Sequence, residues 1–101
     1  MSDELIHLIS LWAMKRGILN NSTPLAQFAK LVSEVGELGD NIAKTRDITD
    51  DIGDCLVVLN TLAIMNDTTL EECLKVAYND IKDRKGHMNT HGVFIKEGDV
   101  A

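Results

Sequence analysis

The segments SEVGELGD, residues 33–40, and TDDIGDCLVVLN, residues 49–60, decide how this chain is read. Each holds two acids three positions apart, Glu34 with Glu37 and Asp51 with Asp54. Residues at that spacing project from one side of a helix, so each segment aims two carboxylates at one region. Two such helices side by side present four. Converging like charges repel unless a cation neutralises them, and hard oxygen ligands of this kind suit Mg²⁺ or Mn²⁺.

The flanking residues supply the helices. Leu25, Phe28, Leu31, Val32, Val35, Leu38 and Ile42 trace a broad apolar stripe, with Glu34 at its edge and Glu37 about 60° beyond it. Thr23-Pro24 opens this helix, since threonine caps and proline suits the first helical position. The next helix starts near Asp47 or Thr49, after the charged Lys44-Thr45-Arg46 link, and runs to about Met65. Its second half is apolar nearly all round, which implies burial on more than one side. Asp51 and Asp54 fall on the side of Cys55, Val58, Leu62 and Met65, so they head into an apolar face. Helix-dipole stabilisation accounts for Asp50 and Asp51 but not for Glu34 and Glu37 in mid-helix.

Two further helices complete the pattern. Leu5, Leu8, Ile9, Trp12 and Ala13 predict one over about Asp3–Arg16, ended by Gly17, with Asn20-Asn21-Ser22 as a loop. Thr68-x-x-Glu71 reads as a capping box opening the last helix, whose apolar side is Leu70, Cys73, Leu74, Ala77 and Ile81 and which Gly86 closes. Beyond it, HMNTHGVFIKEGDVA has the wrong composition for a long helix. Val93-Phe94-Ile95 is a short strand or an extended flap. The expected organisation is a helical domain over 1–86 and a C-terminal tail or flap over 87–101. Trp12 and Phe28 read as core residues, with a base-stacking wall as the alternative.

Composition sets the bounds. A chain of 101 residues, 45% hydrophobic with one proline, is an ordered, helix-rich domain. A net charge of -6 argues against a general nucleic-acid coat or an anionic membrane surface. The N-terminal MSDELIHLISLWAMKRG lacks the marks of a secretory signal, and CLVVLNTLAIM is too short to span a bilayer. The expectation is a soluble cytoplasmic protein, with Cys55 and Cys73 as buried thiols in a reducing compartment. His87 and His91 read as ordinary tail residues without zinc-like partners. No Ser-His-Asp or Cys-His nucleophile is evident.

Glu-x-x-Glu, a spacer and a second acidic pair resemble the MazG-like enzymes of the all-α nucleoside triphosphate pyrophosphohydrolase superfamily. The likeness lies in SEVGELGD and DDIGDCLVVLN, including Gly36 and Gly53 inside each pair, and extends weakly to YNDIKDRKG. The family usually carries Glu where this chain has Asp51, whose side chain is one methylene shorter. The resemblance implies an all-α, four-helix MazG-like bundle completed by oligomerisation into a homodimer or homotetramer. It implies Mg²⁺-dependent hydrolysis of NTP or dNTP at the α–β bond to monophosphate and pyrophosphate. Glu34, Glu37, Asp51 and Asp54 would hold Mg²⁺ (Mn²⁺ as a substitute), and Glu34 or Glu37 would orient the water.

By the same resemblance Asn79 and Lys82 would contact nucleotide or phosphate, within a cationic cluster of Lys82, Arg84 and Lys85. That cluster also complements a helix dipole. Lys15, Arg16 and Lys30 are alternative cations. The competing readings are a dUTPase or dCTPase of the same superfamily and a non-catalytic helical module that binds metal or a basic partner. A helix-turn-helix DNA binder is disfavoured by the charge and by acids inside the helices.

Overall fold

The structure is a computed structural model, and it describes residues 3–99. Among the described residues the helices are α1 (Asp3–Lys15), α2 (Ile18–Asn21), α3 (Pro24–Ala43), α4 (Thr49–Met65) and α5 (Leu70–Ile81). A two-stranded antiparallel hairpin follows, β1 (Gly86–Met88) with β2 (Phe94–Lys96), pairing His87 with Ile95. The fold is all-α with a short C-terminal β-hairpin. The chain divides into two compact units, one reaching Glu71 and the other beginning at Glu72.

Local chemistry sets the boundaries. Thr23 caps α3, its hydroxyl accepting from the Ala26 N–H at 3.1 Å, and Pro24 takes the first turn. Where α3 ends, Arg46 N–H donates to the Asn41 carbonyl and Thr45 N–H to that of Ile42, a Schellman closure. Its left-handed position is Thr45, at φ 56°, rather than the usual glycine. The short connection folds α4 back antiparallel to α3, and these two helices form the main packing pair of the first unit.

The sequence expectations need three corrections here. Residues 18–21 are helical rather than a loop. Gly17 turns the chain at φ 75°, and Asn21 donates both its backbone N–H and its Nδ2 to the Gly17 carbonyl, closing a single turn. The last helix stops at Ile81, not at Gly86. Gly86 instead begins β1, where a Cβ would collide with the Ile95 carbonyl and lie 2.9 Å from the Lys96 Cα. The segment expected as a tail therefore pairs with itself; its last two positions lie outside the described residues.

The third correction concerns the core. Among the described residues the buried apolar ones are Ala13, Val58, Ala63 and Leu70, all in the first unit. Trp12 and Phe28, expected inside, are 45% and 55% exposed. Cys55 is half-buried and Cys73 exposed, both free thiols, so the expectation of two buried thiols fails for Cys73. Polar side chains fill part of the interior: Asn60 is buried and donates to Ser10 Oγ at 3.0 Å, tying α4 to α1. No helix among the described residues is long and apolar enough to cross a membrane.

Candidate metal centre

Antiparallel packing of α3 on α4 brings together acids that lie seventeen to twenty positions apart in sequence. Glu34, Glu37 and Asp54 each offer a carboxylate oxygen, and these oxygens lie within 4.8 Å of one another. Glu34 is buried, Asp54 half-buried and Glu37 exposed, so the trio grades from the helix interface to solvent. Such a cluster of acidic side chains can coordinate a divalent cation.

Glu34 is the critical member. One oxygen pairs with Lys30 Nζ at 3.0 Å, one helical turn back. The other, Oε2, is buried with no hydrogen-bond partner among the described residues. A buried carboxylate oxygen left in that state is costly, and a cation is the partner its chemistry asks for. The donor set is all hard oxygen, which fits such an ion.

The local field agrees. Burial, and then the negative charges of Asp50, Glu34 and Asp51, hold the Asp54 carboxyl above the ordinary value, with Lys30 pulling weakly the other way. The Lys30 ammonium is raised in turn, chiefly by its hydrogen bond to Glu34 and that carboxylate's charge. Burial, and then the charges of Glu34, Asp54 and Asp51, push the Cys55 thiol up, away from a reactive thiolate.

Asp51 stands apart from the trio. It is buried, and its two oxygens accept from Asn41 Nδ2 at 3.2 and 3.0 Å. Of the four acids singled out by spacing, the fold gathers three and gives the fourth a neutral partner on α3. Asn79, Lys82, Arg84 and Lys85 belong to the second unit. There Arg84 pairs with Asp80 at 2.5 Å, and the Lys85 carbonyl accepts from Glu97 N–H at 2.7 Å.

A cavity of about 460 Å³ opens beside the trio, lined by Glu34, Glu37 and Asp54 together with Trp12, Lys30 and Gln27. The Arg16 guanidinium lies 5.8 Å from the Trp12 ring centre. Of the two residues that partner these acids, Asn41 escapes a sequence reading and Lys30, one of the alternative cations, does not. Asn41 has no spacing signal, because its partner is fixed only when the helices pair. Lys30 does have one, the four-residue step to Glu34.

The chain is 45% identical over 73 residues to a Haemophilus phage HP1 (strain HP1c1) protein described as an uncharacterized 18.2 kDa protein in the rep-hol intergenic region. The match covers 68% of this chain and 45% of that protein, so the chain spans less than half the length of its curated relative. No family model and no solved structure matches.

Proposed function

We propose that the α3–α4 pair is a divalent-cation-binding helical module with Glu34, Glu37 and Asp54 as its carboxylate ligands. The buried, unpartnered Glu34 Oε2 at the heart of the trio carries this reading. Oxygen-only ligands favour Mg²⁺ or Mn²⁺. Asp51, turned to Asn41, is the remaining acid and supports the site from behind or through water. Titration of the chain with Mn²⁺, followed by calorimetry and by loss of the free-ion EPR signal, tests it. Stoichiometric binding that Glu34→Gln weakens at least tenfold is expected; equal affinity in the variant overturns the assignment.

The adjoining cavity favours a second, finer reading: hydrolysis of nucleoside triphosphates (NTP or dNTP) to monophosphate and pyrophosphate, as the MazG-like resemblance implies. An aromatic ring, a cation and a carboxylate cluster in one cavity match a base, a phosphate and its metal. Bound there, a divalent cation supplies Lewis-acid polarisation of phosphoryl oxygens and acidifies water. Glu37, the exposed acid, is the residue free to orient a water and take its proton. Lys30 steadies Glu34 and adds positive charge at the cavity wall, while Trp12 offers a ring face. By resemblance Asn79 and Lys82 would serve as nucleotide or phosphate contacts, with Arg84 and Lys85 completing their basic cluster, and the protein would be a homodimer or homotetramer.

³¹P NMR of the full chain with a panel of NTPs and dNTPs, in Mg²⁺, Mn²⁺ and EDTA, checks this reading. Metal-dependent pyrophosphate formed with monophosphate is expected, and selectivity for one base would mark a dUTPase or dCTPase. Metal binding without turnover of any nucleotide leaves the non-catalytic module.

A further inference from the structure

The ion pair between Lys30 and Glu34 runs the weaker way round. In a helix an acid four residues before a base is favoured over the reverse, because the acid then lies toward the positive end of the dipole. Asp40–Lys44 and Asp80–Arg84 follow that order. Lys30 precedes Glu34, yet its Nζ holds Oε1 at 3.0 Å. The pair needs a stronger reason than helical spacing.

The acidic trio supplies it. At about 100° per residue, Lys30 lies in rotation between Glu34 and Glu37, within roughly 40° of each. Its ammonium feels first the bond to Glu34 and that carboxylate's charge, then the charges of Glu37 and Asp54. It lines the same cavity as all three. One ammonium thus answers three carboxylates, and it does so incompletely. The Glu34 side chain is only 10% exposed, and its Oε2 has no hydrogen-bond partner among the described residues.

Lysine and a divalent ion compete for this carboxylate. Mg²⁺ binds oxygen at about 2 Å, so an ion on Oε2 would lie within roughly 6 Å of an ammonium on Oε1, and an ion bridging both oxygens nearer still. Two cations that close repel strongly. The lysine is the one free to leave. Its side chain is 59% exposed, and its flexible stem carries a readily hydrated head.

We propose that Lys30 is the internal counter-ion of the acidic trio and that a divalent cation displaces it from Glu34. This exchange rests on the trio binding such an ion. Lys30 then sets the affinity of the site without being a ligand: it steadies Glu34 until the ion arrives and gives it up on binding.

Calorimetric titration of the full chain with Mg²⁺, in wild type, Lys30→Met, Lys30→Arg and Lys44→Met, tests it. Lysine, methionine and arginine have similar helix propensities, so these exposed positions keep their fold. Lys30→Met is expected to bind Mg²⁺ about two- to fivefold more tightly, the worth of an exposed ion pair. Lys30→Arg, whose planar fork grips a carboxylate at two points, is expected to bind it more weakly than the wild type. Lys44→Met removes the same charge about 10 Å along the helix from Glu37, and leaves the affinity unchanged at about 0.1 M salt. Relaxation of the ¹⁵N-labelled lysine ammonium groups supplies a second readout. The Lys30 Nζ order parameter falls on saturation with Mg²⁺, while that of Lys44 holds. Equal or weaker binding by Lys30→Met, or a Lys30 ammonium that stays ordered in saturating Mg²⁺, overturns the exchange and leaves the metal site standing. Tightening by Lys44→Met as large as that by Lys30→Met reduces the effect to net charge and overturns it as well. No saturable binding by any of the four proteins overturns the metal site and the exchange together.

Discussion

At the scale of single residues, Asn41 and Asp54 carry opposite obligations. Asn41 donates through Nδ2 to both oxygens of the buried Asp51 carboxylate. Asn41→Ala therefore strands a buried charge, and a loss of about 1–3 kcal/mol in urea unfolding is expected. Asp54 is held above its ordinary value of 3.8, chiefly by burial. The folded chain then keeps this proton at a pH where the unfolded chain has released it. Its contribution to stability is full below the ordinary carboxylate value and is lost as pH rises through Asp54's own titration. In chelator, the wild type should lose stability relative to Asp54→Asn across that rise, as read by thermal unfolding at a series of pH values; parallel curves refute this. Glu34, Glu37 and Asp54 are legible in the sequence because helical period fixes where their side chains point. The Asn41–Asp51 pair is not, since nothing local distinguishes a carboxylate facing a metal from one facing an amide across a helix pair.

At the scale of elements, the chain's turns decide where the helices face each other. Three left-handed positions close helices, Gly17 at φ 75°, Thr45 at φ 56° and Asp67 at φ 53°. A β-branched residue in that conformation is strained by roughly 1–2 kcal/mol, whereas glycine is at ease there. Thr45→Gly should therefore stabilise the chain by about 1 kcal/mol, and Gly17→Ala should destabilise it by a similar amount. Equilibrium urea unfolding of both variants checks the opposed signs. The α3 entry is legible because Thr23-Pro24 is a local signal that the fold honours. α2 and the β1–β2 hairpin are less so. Asn20, Asn21 and Ser22 have loop composition, and the Asn21 bonds to the Gly17 carbonyl, with Ser22 N–H donating to that of Ile18, make residues 18–21 helical and leave Ser22 as their extended cap. Gly86 reads equally as a helix stop or as a strand glycine, until the Ile95 and Lys96 backbone comes against it.

At the scale of the whole molecule, an excess of acid is concentrated where it does most harm without a counter-ion. The chain carries a net charge of -6, and three carboxylate oxygens of the trio lie within 4.8 Å of one another. Monovalent salt screens over about 10 Å at 0.1 M, a distance longer than these separations, so it relieves the trio little. A divalent ion bound among the oxygens acts directly and stabilises by mass action, by about 2.7 kcal/mol at a hundred times its dissociation constant. For a domain of about this size that corresponds to a rise of roughly 10–20 °C in Tm. Differential scanning calorimetry in Mn²⁺, against NaCl at matched ionic strength, separates site binding from screening. The wild type should gain the full rise in Mn²⁺ and only a small one in NaCl. Glu37→Gln should start higher in chelator, freed of one repelling charge, and gain little from the metal. Equal shifts in the two salts would assign the effect to general screening and leave the trio as ordinary surface acids.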